Sequence, residues 1–146
     1  MFTIALISLV LIACTTLVHY EVLRELNGRL PRLGIPNRFK LLVVVFSTLF
    51  AHMVEIGLYG GVLCLLPHSA EWGSLVGPGG SDLVSCLYFS AETYTSLGFG
   101  DITPSGPVRL LAGAEALNGL LLIGWSASYL HIAMERFWNG AAEERG

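Results

Sequence analysis

The sequence predicts an all-α membrane protein: three transmembrane helices, with a short re-entrant helix and an extended loop between the second and third. Three observations lead there. Of 146 residues, 53% are hydrophobic and only 13% are charged, and the mean hydropathy is +0.65, which argues against a soluble fold. Three apolar runs, Phe2 to Val18, Leu41 to Leu66 and Leu110 to Met134, reach or approach the roughly 20 residues with which a helix crosses about 30 Å of hydrocarbon. Between the second and third runs, "TYTSLGFGDITP" (93–104) places glycines, hydroxyls and an acid where bare backbone must find something to bind. At 15.8 kDa the chain has room for one domain.

Residues 1–27 read as the first membrane helix. Leu11-Ile12-Ala13-Cys14 resembles a lipoprotein cleavage box, but Met1-Phe2-Thr3 offers no basic side chain, and the apolar pattern runs on through Val18-His19-Tyr20-Glu21-Val22-Leu23. A retained helix is therefore expected, ended by Gly28 and Pro31. Residues 28–40 form a basic linker, with Leu30 to Phe39 expected flat on the membrane surface. Five of the eight basic residues, Arg24, Arg29, Arg32, Arg38 and Lys40, lie around it; Arg136 and Arg145 follow the third helix, and none falls between Pro67 and Pro107. The positive-inside rule then places this linker and the C-terminus in the cytoplasm, and the N-terminus and residues 67–107 outside.

The second helix is expected over 41–66, followed by an exposed, glycine-rich loop over 67–80. Ser81-Asp82 reads as a helix N-cap opening "LVSCLYFSAETYT" (a short helix, 81–95), too short to span a bilayer but long enough to enter it halfway. The extended segment 96–100 comes next, then a third long helix over 108–138 and a short tail, 139–146. Irregular backbone at membrane depth survives only where it lines a wet cavity or is buried in protein. Cys14, Cys64 and Cys86 lack metal-ligand spacing and read as apolar fillers.

"YFSAETYTSLGFGDITP" resembles the pore helix and selectivity filter of pore-loop potassium channels, whose usual signature is T-x-G-[YF]-G-D. Ser90, Glu92 and Thr93 are similar to the two-helix bacterial channels, the Thr-Ser-x-Gly-Phe-Gly variant resembles the ether-à-go-go-related filters, and Gly119 falls where the two-helix channels have a hinge glycine. The resemblance covers 81–137, with 41–66 as the outer helix, 108–138 as the inner helix, 41–138 as the pore domain, and residues 1–27 as an addition. It implies a passive potassium-selective channel of a bacterial inner membrane, built as a C4 homotetramer because one filter per chain cannot close a ring. Backbone carbonyls of Ser96, Leu97, Gly98, Phe99 and Gly100 would replace the hydration shell of K+. Leu97 and Phe99 would point back into protein to hold the ring diameter. Ser96, Leu97 and Phe99 stand where Thr, Val or Ile, and Tyr are usual, which leaves the strength of selectivity open.

Filter support falls to Thr95, Glu92 and Asp101; the resemblance implies that the two carboxylates meet behind the filter, where two such groups in low dielectric share a proton. Within the helices, a charge at mid-membrane costs about 2.5–3.5 kcal/mol on insertion scales. His52, Glu55, Glu115 and Asn118 are accordingly expected to form one polar cluster joining outer to inner helix, either as structural glue or as a proton or divalent-cation sensor. Gly119 and Gly124 are gating hinges or close-packing contacts. Ser126, Ser128 and His131 are candidates to line the cavity or its gate, and Trp125, Phe137 and Trp138 are packing and interface anchors. No nucleophile–base pair, phosphate loop or metal triad suggests an enzyme, and no organic cofactor or nucleic-acid partner is implied; the expected partners are three identical chains and the lipid bilayer. The rivals are a nonselective monovalent cation channel of the same fold, a potassium-transport subunit, which would carry four such loops per chain, and a non-conducting membrane interaction protein.

Overall fold

A computed structural model describes residues 1–66, 71–79 and 82–143, with side chains through Phe137. Helix α1 spans Phe2–Arg29 and passes into a 3-10 turn, Leu30–Arg32; α2 spans Asn37–Leu65, α3 Leu83–Tyr94 and α4 Val108–Glu143. Three stretches, Phe2–Arg32, Asn37–Leu65 and Val108–Phe137, are long and apolar enough to cross a membrane. Residues 67–70, residues 80–81 with the expected cap Ser81, and residues 144–146 of the tail lie outside the described residues, as does the side chain of Trp138.

Several boundaries depart from expectation. Gly28 lies inside α1, because one glycine costs about 1 kcal/mol while the helical hydrogen bonds on either side continue; the N–H of Leu30 still reaches Leu26 O. The basic linker is mostly helix: α2 starts at Asn37, directly after Pro36, whose extended backbone (φ −54°, ψ 143°) sets the entry. At its other end Leu66 is extended (φ −65°, ψ 135°), as a residue before proline prefers. Lys40 Nζ donates to Pro31 O at 3.4 Å and sits 5.3 Å from the centre of the Phe137 ring, which ties the two ends of the connection to each other and to α4, while residues 32–36 between them are exposed.

The loops flanking α3 carry an unforeseen two-stranded ribbon. Strands β1 (Ser74–Val76) and β2 (Thr103–Ser105) pair antiparallel, Ser74 with Ser105 and Val76 with Thr103. Leu75 and the neighbouring Ile102 are buried in the core, and Val108 N–H donates to Trp72 O at 3.1 Å. The chain leaving residues 96–100 is thereby clasped to the chain entering α3.

Helix α1 packs against both α2 and α4, and α3 against α2 and α4. Burial on α1 repeats every three or four residues: Ile4, Ser8, Leu11, Thr15, His19, Leu23 and Leu26. This buried stripe holds Ser8, Thr15 and His19, whereas Leu6, Leu9, Val10 and Leu17 face outward. Such an inverted pattern suits a helix whose solvent is hydrocarbon, since polar groups are then costly outside and useful between helices. Ser8 and Thr15 spend a hydroxyl proton on the carbonyls of Ile4 and Leu11.

Candidate functional site: the α3 terminus and the polar interior

Asp82 caps α3, its side chain accepting the Ser85 N–H at 3.0 Å. Hydrogen bonds from the Ser85 side chain and then its backbone N–H hold the Asp82 carboxyl below the usual carboxylate range. Further along, Ser90 Oγ lies 2.9 Å from Ile56 O and 2.5 Å from Glu115 Oε1, fixing α3 to α2 and α4 at once. The last residue of α3 meets α4 backbone to backbone: a Cβ at Gly119 would lie 2.1 Å from Tyr94 O. Gly119 is therefore a close-packing contact. Gly124, by contrast, has nothing within 4 Å of the same position.

Thr95 ends α3, its hydroxyl donating to Ala91 O at 2.7 Å. Beyond it, Ser96 (φ +57°), Gly98 (φ +56°) and Gly100 (φ +81°) are left-handed, while Leu97 and Phe99 are not. Three successive N–H groups turn back to one residue: Leu97 N and Gly98 N to Glu92 O at 2.8 and 3.3 Å, and Phe99 N to Glu92 Oε2 at 3.0 Å. No peptide bond among the described residues is cis, and in a trans peptide the carbonyl opposes the N–H. The carbonyls of Ser96, Leu97 and Gly98 consequently point away from α3, along a stretch of chain that is exposed from Thr95 to Asp101. This is the arrangement of a backbone nest, with its oxygens on the outer side.

Two expectations about this segment change. Glu92 and Asp101 do not meet: Glu92 holds the Phe99 N–H, whereas Asp101 Oδ1 accepts from Tyr88 OH at 3.2 Å and Ile102 N at 3.1 Å, and no hydrogen bond joins the two acids among the described residues. Each carboxyl group has its own donors. Leu97 and Phe99 do not pack back into their own chain; they are 59% and 67% exposed.

The polar residues of the helices form separate groups. His52 Nδ1 and His19 Nδ1 lie 3.0 Å from the two oxygens of Glu55, Tyr94 OH donates to Glu55 Oε2, and Ser126 Oγ touches Nε2 of both rings at 3.0 and 3.2 Å. Away from these, Asn118 Nδ2 donates to Thr15 Oγ1 at 2.7 Å and to Tyr59 OH at 3.2 Å. Glu115 pairs with Ser90 through one oxygen, while its other oxygen is buried with no partner among the described residues. The expected single cluster fails on register. With His52 opposite Ser126 and Tyr59 opposite Asn118 on antiparallel helices, Glu55 lies about two turns from Glu115.

Sequence reasoning missed His19 and Thr15, although a histidine within an apolar helix already signals an inward face. Ser126 points at the histidines instead of a cavity, and Trp125 packs beside His19, ring centres 5.5 Å apart. Ser128 and His131 are exposed, with His131 Nε2 at 3.7 Å from Glu135 Oε1. Together with Gly113, Leu117, Leu120 and Gly124 they form a stripe of α4 that the chain's own helices leave uncovered.

A family model described as "Ion channel" matches residues 39–136, from the first turn of α2 through α3 and most of α4, leaving α1 outside. No curated protein and no solved structure matches the chain.

Proposed function

Because the chain belongs to the ion channel family, whose model covers residues 39–136, we propose that it is a passive, potassium-selective channel whose selectivity filter is Ser96 to Gly100. The observation that carries this proposal is the direction of three successive peptide units. Their N–H groups are tied to Glu92, so their oxygens are presented together on an exposed edge. Four such edges about one axis make stacked rings of carbonyl oxygen able to replace the hydration shell of K+. A single chain presents one edge, so the functional unit is a C4 tetramer. The uncovered stripe of α4 and the exposed Leu97 and Phe99 are then surfaces that neighbouring chains cover. Helix α3 acts as pore helix, its partly negative C-terminal end favouring a cation at the axis. Glu92 supports the filter from behind. The basic connection before α2 faces the cytoplasm of a bacterial inner membrane.

The test is flux from the purified protein in liposomes, potassium against sodium, with Gly98→Ala as control. Gly98 has φ +56° and open space around a would-be Cβ, so alanine there meets backbone strain of about 1–2 kcal/mol without a clash. Potassium flux that exceeds sodium flux and is lost in Gly98→Ala is the expected result; equal flux of both ions, or an unaffected variant, overturns it. One observation favours a second reading, a nonselective cation channel. Phe99 lacks the hydroxyl that could brace the filter against its pore helix. A reversal potential near zero under bi-ionic conditions would establish it.

A further inference from the structure

We propose that His19, His52 and Glu55 form a binding site for a divalent transition metal of the zinc class, which joins α1 to α2. The site is independent of whether the chain conducts.

Three ligand atoms, one from each residue, lie within 4.8 Å of one another. Two imidazole nitrogens and a carboxylate are a set that zinc accepts, with donor atoms about 3.3 Å apart for metal–ligand distances near 2.0–2.1 Å. The 3.0 Å separations of His19 Nδ1 and His52 Nδ1 from Glu55 Oε1 and Oε2 are close to that spacing. His19 and Glu55 are fully buried, and only His52, 16% exposed at its side chain, offers access. Tyr94 OH adjoins the group, 2.9 Å from His52 Nδ1 and bonded to Glu55.

The outer hydrogen bonds suit the metal-bound form. With both Nδ1 atoms on the metal, each imidazole carries its proton on Nε2. Both Nε2 atoms face the same oxygen, Ser126 Oγ, at 3.0 and 3.2 Å, and its two lone pairs accept both protons. That is how an outer hydrogen bond fixes a ligating histidine's tautomer.

His19 lies on a helix outside the channel family match, so the metal would tie α1 to α2 beside the last residue of α3 and Ser126 of α4. The test uses the purified full chain, stripped with chelator and titrated with Co2+ while the visible absorption is followed, then with Zn2+ in competition. The expected result is one Co2+ per chain with a low-symmetry, intense spectrum displaced by Zn2+, and a thermal midpoint raised by Zn2+. His19→Gln and His52→Gln should each weaken binding by on the order of 100-fold or more, His131→Gln should leave it unchanged, and Ser126→Ala should weaken it by about 10–100-fold without removing a ligand. Absence of stoichiometric Co2+ binding to the unsubstituted chain overturns the proposal whatever the variants do. Binding that survives both His19→Gln and His52→Gln also overturns it.

Discussion

The Phe99 N–H donates to Glu92 Oε2 at 3.0 Å, so a carboxylate on the last turn of α3 holds the chain seven residues further on. Glu92 is 4% exposed, and its main-chain oxygen takes two more N–H groups of the same loop. An intramolecular hydrogen bond contributes about 0.5–1.5 kcal/mol net, enough to bias the loop between conformations. Glu92→Ala should therefore alter open probability or inactivation while permeation persists, and Glu92→Gln, which keeps an acceptor oxygen, should stay close to the original protein. Single-channel recording checks both. Identical gating in the alanine variant would mean that the main-chain bonds alone fix the loop.

The contact of Gly119 with Tyr94 O separates two roles for the glycines of α4. A Cβ at Gly119 meets that carbonyl at 2.1 Å, and the neighbour is backbone, which cannot swing aside. Gly119→Ala should lower stability by about 1–3 kcal/mol, the usual cost of overpacking. Gly124→Ala meets nothing within 4 Å in its own chain and, measured on dissociated subunits, should fall within about 0.5 kcal/mol of the original. Thermal unfolding in detergent measures both. A Gly119→Ala protein of unchanged stability but altered gating would restore the hinge role.

Helix number and approximate spans were legible because hydrocarbon demands long apolar runs, and α1, α2 and α4 follow those runs. The cap at Asp82 was legible because its chemistry is local. Register was not. Whether Glu55 lies level with Glu115 or about two turns from it depends on the sliding of two antiparallel helices, which no single-helix pattern encodes, and His19 joins Glu55 only once α1 has docked. The ribbon of Ser74–Val76 with Thr103–Ser105 left no periodic signal, since three residues are too few to alternate. Leu97 and Phe99 were expected to point into protein, and the single chain leaves both exposed.

Asn118 and Thr15 provide a direct measure of how firmly α1 is attached. Asn118 Nδ2 donates to Thr15 Oγ1 at 2.7 Å in a fully buried setting, and Thr15 in turn donates to Leu11 O. Hydrogen bonds between membrane helices average about 0.6 kcal/mol and reach about 1.7 kcal/mol. Thr15→Val, Asn118→Leu and the double variant should show a coupling energy of about 0.5–2 kcal/mol, read from unfolding free energies in detergent. Additive effects would place the attachment of α1 elsewhere, with His19 and Glu55 the next pair to examine.

The Asp82 cap should make the start of α3 sensitive to acid. Its carboxyl is depressed by the Ser85 side chain and then by the Ser85 N–H, both of which favour the ionised form. A folded-state value below the unfolded one, about 3.9 for aspartate, contributes stability that is fully present above the unfolded value. That contribution disappears as pH falls through the folded value. Hydrogen-exchange protection at the Ser85 amide, corrected for intrinsic rate, should thus be flat from neutral pH down to about pH 4 and decline below it. Asp82→Asn, also a good N-cap, should keep protection at neutral pH and remove the decline; Asp82→Ala should lower protection throughout. A decline that persists in Asp82→Asn would assign the acid sensitivity to another group.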